Sequence, residues 1–435
     1  MNLLGKAFFI GIKGVGMTSL ALAMQDAGWE VSGSDTDESF ITDEILAARH
    51  IPVTTPALAP IPVDTTRVIY SGAYDISSLE SSLSQLESFP LAIALADFVK
   101  DRRVIAVAGV GGKTTTSAML AAMFHGLGRD VGYYVGTGSI AGLGAPGHCG
   151  TDPWYIVEAD EYAIGKTDPR PKFALLSPEI VITTNIVHDH PDIYKDENAT
   201  LAAFTSLIEN IPPGGTWICN PADPPTTKLI TLQGPTLKGI KVMHYPADPS
   251  LELSVFGAQN QLDAQAAVLA AVAAGVSRSD AQLGIKAYHG AGRRQEFHGE
   301  VAGRLLYDDY GHHPAEILVT VKAFHEHFPG HRVLLVFESH TYTRTEALLG
   351  DFAMAIGTAD QAFIMPIFES AREKGKPHQV TPTSFAAMIP GATALTWDNA
   401  AATVWAASRP GDIILTMGAG FVYKLHDKFK KMESK

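Results

Sequence analysis

Short apolar runs that stop abruptly at glycine or at charged residues recur along this chain, and stretches with helical spacing separate them. Residues 6–11 (KAFFIG) form the first run, followed by the turn Gly11-Ile-Lys-Gly-Val-Gly16. Met17, Leu20, Ala21 and Met24 then recur at the spacing of one helix face. Trp29 to Ser34 repeats the strand pattern and ends at Asp35. Val68-Ile-Tyr-Ser-Gly-Ala73 is a further run ending on small residues, and a helix is expected over Leu91–Lys100. The alternation restarts at Val104, with strand-like runs beginning at Trp154, Ile180, Leu305, Val333, Gln361 and Ile413. An alanine-rich helix over 259–275 has Gly275 as its cap. Alternating strand and helix patterns of this kind predict an α/β protein with parallel sheets. A chain of 435 residues has room for about three domains.

Two of the glycine turns carry candidate chemistry. In Val104-Ile-Ala-Val-Ala-Gly-Val-Gly-Gly-Lys-Thr-Thr-Thr116, an apolar strand feeds a glycine turn and then a helix. Gly109, Gly111 and Gly112 let backbone N–H groups approach an anion, Lys113 adds a mobile cation, and the Thr114 hydroxyl suits Mg²⁺ beside a phosphate. The strict P-loop pattern wants glycine at position 107, where this chain has Val107, so a glycine turn without a ligand stays open as a reading. In the first turn, Gly14, Gly16 and Ser19 imitate Gly-x-Gly-x-x-Gly, and Asp35 stands where a Rossmann fold places its ribose-binding acid. These features give a Rossmann-like N-terminal domain (1–100), a central P-loop ATPase-type α/β domain (101–290) and a C-terminal Rossmann-like α/β domain (291–435).

Strand ends beside the second turn are rich in ligating groups. One run closes on Glu158-Ala-Asp-Glu161, another on Asn185, His188, Asp189, His190 and Asp192, where Mg²⁺ ligands are expected. The glycine-rich loop Gly136 to Gly150 is expected to be mobile and to cover a site. In the last third, Asp308-Asp-Tyr-Gly-His-His-Pro314 and His340-Thr-Tyr-Thr-Arg344 follow strands, and Gly418-Ala-Gly420 follows the final one.

The formal charge of −13 argues against a general nucleic-acid binder, though not against a locally positive phosphate site. Cys149 and Cys219 cannot build a disulfide framework, which fits a reducing cytoplasm. No window of 18 apolar residues predicts a membrane span. The N-terminal apolar run is too short and glycine-rich for a signal peptide and reads as a first strand. No Ser-His-Asp or Cys-His arrangement stands out, so phosphoryl transfer with several domains closing over three substrates is the expected chemistry.

The ordered set of motifs resembles the Mur ligase family. It runs through Gly11-Ile-Lys-Gly-Val-Gly-Met17, Ser32-Gly-Ser-Asp35, Gly109-x-x-Gly-Lys-Thr-Thr-Thr116, Glu158-Ala-Asp-Glu161, Thr184-Asn-Ile-x-x-Asp-His190, Gly292-Arg-Arg294, Asp308 to Pro314, His340 to Thr345 and Leu415 to Gly420. The resemblance is strongest to the branch that joins L-alanine to UDP-N-acetylmuramate. It implies a cytoplasmic monomer or homodimer that uses ATP and Mg²⁺ and forms an amide through an acyl phosphate. It also implies that Gly14, Gly16, Met17, Asp35 and Ser71 serve the UDP-sugar. Gly109, Gly111, Gly112, Lys113, Thr114 and Thr115 would hold the ATP phosphates, with Thr114 and Glu158 on one Mg²⁺ and His190 on a second. Asn260, Arg294, Asp309, His312 and His313 would complete the nucleotide's contacts, and Arg344 with Tyr310 would hold the amino acid. Lys113, Glu158, His190 and Arg344 are thus the expected catalytic set. Sister branches carry a carbamylated lysine after the Asp-His motif, whereas Leu201-Ala-Ala-Phe-Thr-Ser206 has no lysine, as in the L-alanine branch.

Departures from the family pattern are Val110-Gly111 for Thr-His, Lys13 for a glycine, Gly257-Ala-Gln-Asn260 for Gly-x-His-Asn, and Thr341 for an arginine. The stretch from Asn220 to Gly257 is also abbreviated. The missing arginine leaves open the peptide-recycling branch, which attaches a tripeptide to the same sugar nucleotide. An NAD-dependent oxidoreductase would account for Gly14, Gly16 and Asp35 but not for the Lys-Thr loop. A non-catalytic nucleotide-binding scaffold is the remaining alternative.

Overall fold

The structure, a computed structural model, describes residues 4–79, 83, 86–165, 168–190, 193–233, 237, 239–246, 250–369, 373 and 377–432. Asp192, one of the expected strand-end acids, lies outside the described residues. The apolar runs become three mainly parallel sheets. The first contains β1 (Lys6–Ile10), β2 (Glu30–Ser34), β3 (Val53–Thr54), β4 (Arg67–Tyr70) and β5 (Glu87–Pro90), all parallel, in the order β3-β2-β1-β4-β5. The second contains β6 (Arg103–Ala108), β7 (Gly132–Tyr134), β8 (Gly147–His148) and β9 (Trp154–Glu158). A small antiparallel pair, β10 (Ala163–Gly165) and β11 (Asp168–Pro171), follows before β12 (Ile180–Thr183), β13 (Thr216–Cys219) and β14 (Lys241–His244) complete it. Its order is β14-β13-β12-β6-β9-β7-β8, with only the β7–β8 pair antiparallel. The third sheet is built from β15 (Glu296–Val301), β16 (Arg304–Asp309), β17 (Val333–Phe337), β18 (Gln361–Ile364), β19 (Thr393–Ala394) and β20 (Ile413–Met417). Their order is β15-β16-β20-β17-β18-β19, with β15 antiparallel to β16.

The chain forms two compact units, one of Met1–Ser254 with Asn260–Gly292, the other of Val255–Gln259 with Arg293–Lys435. The first unit holds two sheets because the helix Val15–Asp26, which follows β1, packs on the second sheet. Ser19 Oγ donates to the Val135 carbonyl oxygen at 2.6 Å, and a Cβ on Gly16 would stand 2.4 Å from the Tyr134 hydroxyl. One apolar core therefore runs from Phe9 and Ile69 of the first sheet to Val157 and Trp217 of the second. In the second unit, both faces of the sheet are covered. Val333, Leu335 and Phe337 of β17 enter one core, and the alternate Leu334 and Val336 enter another, so the strand reads as an unbroken apolar run.

The loop Gly136 to Gly150, expected to be mobile, is tied down instead. Gly136 N–H donates to Glu158, Thr137 Oγ1 donates to the Gly292 carbonyl, and Gly147–His148 forms β8 against β7. Glycine here serves close packing: a Cβ on Gly147 would fall 1.9 Å from the Ser19 carbonyl oxygen.

Candidate active site

β6 is the middle strand of the second sheet, and the chain leaves it for β7 and β9 on one side and later for β12 on the other. A ligand crevice belongs at the carboxyl end of a strand at such a reversal. Gly109 to Gly112 occupy that end, and the helix Lys113–Gly126 starts immediately after them. Gly109 has φ +140° and Gly112 φ +84°, conformations that favour glycine. A Cβ would stand 2.0 Å from Thr184 Oγ1 at the first and 2.5 Å from Asp263 Oδ1 at the second.

The groups expected to meet a nucleotide already meet one another. Val110 and Gly111 N–H both donate to Asn185 Oδ1, at 3.1 and 3.0 Å, and Thr184 Oγ1 donates to the Gly111 carbonyl at 2.5 Å. The amides of the two departure residues thus point at an oxygen acceptor, as a phosphate site requires. Thr114 Oγ1 donates to Glu158 Oε1 at 3.0 Å, while Glu158 Oε2 accepts from Gly136 N–H at 2.7 Å. Lys113 Nζ curls back to the Gly109 carbonyl (2.5 Å) and to both oxygens of Glu161 (2.9 and 3.1 Å). Burial works to lower the Lys113 pKa, but the carboxylates of Glu161, Asp160 and Glu158 overcome it and hold the ammonium charged. Asp160 is also buried, yet Lys172 and Lys113 keep its carboxyl below the usual range.

The end of β12 adds the imidazole. His190 sits at φ +56°, with Nε2 3.5 Å from Glu161 Oε1 and 3.7 Å from Asp189 Oδ2. Its ring meets Tyr162 edge-on at 4.8 Å, and Tyr194 donates its hydroxyl to the Glu161 carbonyl oxygen at 2.5 Å. Glu158 and Thr114 are therefore together, whereas His190 joins a different carboxylate pair. The sequence marked Glu161, Asp189 and Asn185 among the strand-end groups where Mg²⁺ ligands are expected, without assigning each its partner. Asp263 went unnoticed, although it lies one helical turn beyond Asn260 on the buried helix Ala258–Ala273.

The first glycine turn is differently provided. Asp35 is buried and already accepts from Lys13 N–H (2.7 Å), Thr36 N–H (2.8 Å) and the Tyr74 hydroxyl (2.7 Å). Ser71 stands beside Gly11, where a Cβ would be 3.0 Å from its own. Gly14 precedes the helix, Gly16 faces Tyr134, and the Met17 side chain lies in the core. The Lys13 ammonium turns to the Glu38 carbonyl (2.8 Å) and Asp43 (3.3 Å).

In the second unit, Arg294 packs over the Tyr310 ring at 5.0 Å. Burial lifts the Asp309 carboxyl to about 6, against the pull of Arg294 and of N–H groups from Gly311 (2.7 Å) and Gln295 (3.0 Å). His313 caps the helix Pro314–His327, and the Glu316 carboxylate accepts from the N–H groups of both His312 and His313. His312 meets Tyr310 at 5.4 Å and His340 at 5.9 Å, so these three rings form one row. Thr341, where the family pattern has arginine, stands at φ +71° and caps the short helix Tyr342–Ala347, which carries the buried Arg344. Arg293, the neighbour of Arg294, is a structural tie: it binds Asp308 at 2.8 Å and the carbonyls of Gly418 and Gly420.

Parallel sheets with a glycine loop, a lysine and a hydroxyl–carboxylate pair at the end of a central strand define an α/β protein built to hold a phosphorylated ligand. Three family models cover successive parts of the chain: the Mur ligase family catalytic domain (residues 6–84), the Mur ligase middle domain (107–248) and the Mur ligase glutamate ligase domain (293–420). The UDP-N-acetylmuramate–L-alanine ligase of Desulfitobacterium hafniense (strain Y51) is 32% identical over 448 residues, covering 96% of this chain and 97% of that protein. The enzyme of the same name from Bdellovibrio bacteriovorus is 32% identical over 450 residues, covering 97% of each. This chain belongs to the Mur ligase family. Solved structures share its fold. The UDP-N-acetylmuramate–alanine ligase of Thermotoga maritima matches with a TM-score of 0.77 at 21% identity, covering 99% of this chain and 100% of that one. A murein peptide ligase from Psychrobacter arcticus 273-4 matches with a TM-score of 0.75 at 23% identity, covering 99% of both. Among the described residues, no helix is long and apolar enough to cross a membrane.

Proposed function

We propose that this chain is an ATP-dependent ligase that joins L-alanine to the carboxylate of UDP-N-acetylmuramate for peptidoglycan synthesis. The observation that carries the reading is the Thr114–Glu158 pair beneath the glycine loop, with the Lys113 ammonium beside it. Relatives named for this reaction over nearly the whole chain supply the choice of acceptor and amine. A carboxylate is a poor acyl donor at neutral pH. Transfer of the γ-phosphoryl group to it, with ADP leaving, gives an acyl phosphate. The amine then attacks the acyl carbon, phosphate leaves with the C–O bond electrons, and an amide remains. Loop amides of Gly109 to Gly112, with Lys113 and Thr115, hold the phosphates and offset their charge.

Hard oxygen donors at Thr114 and Glu158 suit Mg²⁺, which when bound would neutralise phosphate oxygens, and His190 is assigned to a second ion. Gly14, Gly16, Met17, Asp35 and Ser71 are assigned to the sugar nucleotide, Met17 through its backbone because its side chain is in the core. Arg344 and Tyr310 are assigned to the amine substrate's carboxylate, and Asn260, Arg294, Asp309, His312 and His313 to the nucleotide. Reconstitution with ATP, Mg²⁺, UDP-N-acetylmuramate and a panel of single amino acids and tripeptide tests this, with product identified by mass. An L-alanyl adduct formed with stoichiometric phosphate release is the expected result. Preferred use of tripeptide, or ATP hydrolysis indifferent to the sugar nucleotide, overturns it.

A further inference from the structure

We infer that Lys13, which stands where the family pattern has glycine, is a positioning residue of the sugar-nucleotide site: its ammonium fastens residues 36–43 as one wall of that site and offsets their negative charge. The inference rests on the reading that the first glycine turn takes the sugar nucleotide. Between residues 7 and 48, Lys13 is the only lysine or arginine, while Asp35, Asp37, Glu38, Asp43 and Glu44 cluster after β2. The diphosphate of a sugar nucleotide is itself an anion, so a turn beside these carboxylates needs a cation close by.

Lys13 grips the segment along its length. Its N–H donates to Asp35 Oδ2 at 2.7 Å, its carbonyl oxygen accepts from Thr42 Oγ1 at 2.5 Å, and its ammonium donates to the Glu38 carbonyl oxygen at 2.8 Å. Asp43 Oδ1 lies 3.3 Å from the same ammonium, and Asp43 Oδ2 accepts from Phe40 N–H at 2.9 Å. The backbone ties are open to any residue at position 13. Only the ammonium is particular to lysine, and glycine would lose its hold on Glu38 and Asp43. Asp37, Glu38 and Ser39 are exposed while Lys13 is only 9% exposed, so a buried cation rather than apolar packing anchors this part of the segment. Gly11 has φ +85°, but residue 13 does not take positive φ, so lysine enters the turn without backbone strain. The segment follows β2 beside β1, whose carboxyl end opens the turn, and a ligand belongs outside those strand ends. A Cβ on Gly138 would be 3.0 Å from Ile41 Cδ1, so the segment also meets the loop tied to Glu158.

The test is calorimetric titration of the full chain with UDP-N-acetylmuramate and, separately, with ATP, alongside limited proteolysis by a glutamate-specific protease. Lys13→Gly and Lys13→Met are expected to weaken UDP-N-acetylmuramate binding about tenfold and to leave ATP affinity unchanged. Lys13→Arg, which keeps the charge, is expected to restore most of the loss. Without ligand, cleavage after Glu38, identified by mass, is expected to be about tenfold faster in Lys13→Met than in the parent. Equal sugar-nucleotide affinity in the parent and Lys13→Met overturns the inference. So does an unchanged cleavage rate, a matching loss of ATP affinity, or a Lys13→Arg variant as weak as Lys13→Met. A parent that does not bind UDP-N-acetylmuramate refutes the assignment of the turn and the inference with it, whereas a parent that binds no more tightly than its variants refutes the inference alone.

Discussion

The two glycine turns of the first unit begin alike and end differently. Each follows a buried parallel strand and opens a helix, and each reads in the sequence as an anion cradle. At the second turn, Gly109 and Gly112 take positive φ, and Thr184 and Asp263 crowd the places where a Cβ would be. Cations, hydroxyls and carboxylates converge there from three strand ends. At the first turn, Gly11 also takes positive φ (+85°), against Tyr74 and Ser71, but Gly14 has an ordinary φ of −59°, and the closest approach is at Gly16, against Tyr134 of the second sheet. One turn gathers charged and polar side chains around its glycines, while the other uses one of them to dock two sheets. A short glycine motif therefore does not say whether the close neighbour is a ligand or another part of the chain.

The sharpest way to break the contrast is Lys113→Ala. Loss of the only lysine of the second turn should lower kcat/KM by about 10²- to 10³-fold, measured by phosphate release, with the fold retained by circular dichroism. A variant as active as the parent would remove the second turn's claim to the phosphates. Next in size, Gly16→Ala should destabilise the protein by about 1–3 kcal/mol in urea unfolding, because its methyl meets the Tyr134 hydroxyl. Gly14→Ala, whose Cβ would meet nothing closer than 3.5 Å, should stay near the parent. Adding Tyr134→Phe should recover part of the Gly16→Ala loss; no recovery would mean that the sheets do not meet through this pair.

A third glycine turn extends the comparison. Gly418 and Gly420 pack on Glu338, whose carboxylate accepts from Val422 N–H at 2.7 Å, and burial lifts its pKa to about 7. The folded state thus keeps a proton that the unfolded chain has released. Stability should fall as pH rises from about 4.5 to about 7 and then level off. Glu338→Gln keeps the acceptor and removes the titration. It should match the parent at pH 4 and exceed it at pH 8 by about 3 kcal/mol, read from urea unfolding at each pH. Identical profiles would show that this carboxyl does not titrate within the fold. The smallest effect belongs to the first turn. Tyr74→Phe should cost about 1 kcal/mol in thermal unfolding, since Asp35 keeps two N–H donors. ATP affinity should not change, and if it does the two turns are not independent.

Much of the fold was legible. The helix expected over Leu91–Lys100 is Leu91–Val99, and the strands before both turns are β1 and β6. Gly275 follows its helix at φ +91°. Such features depend on near neighbours in the chain, where apolar spacing and glycine placement act directly. The Thr114–Glu158 pair was also legible, through the family resemblance, which put both residues on one ion. The ties of Gly136 to Gly150 were not legible, because glycine content says nothing of the partners at Ser19, Glu158 and Gly292. The Thr341 departure looked like a lost charge, and the structure gives it a local task at the start of the helix carrying Arg344.

By itself, the sequence located the strands that lead into the glycine turns and the acid- and imidazole-rich loops, and it predicted mainly parallel sheets. Hydrophobic spacing and glycine placement are local, so they act before any long-range contact forms. Only the tertiary structure decided that Gly16 faces Tyr134, that Asn185 and Asp263 close on the loop, and that Lys113 rests on Glu161 beside Asp189 and His190. Those partners come from distant strand ends and helices that the packed sheets bring side by side, and that arrangement is not written in any one element.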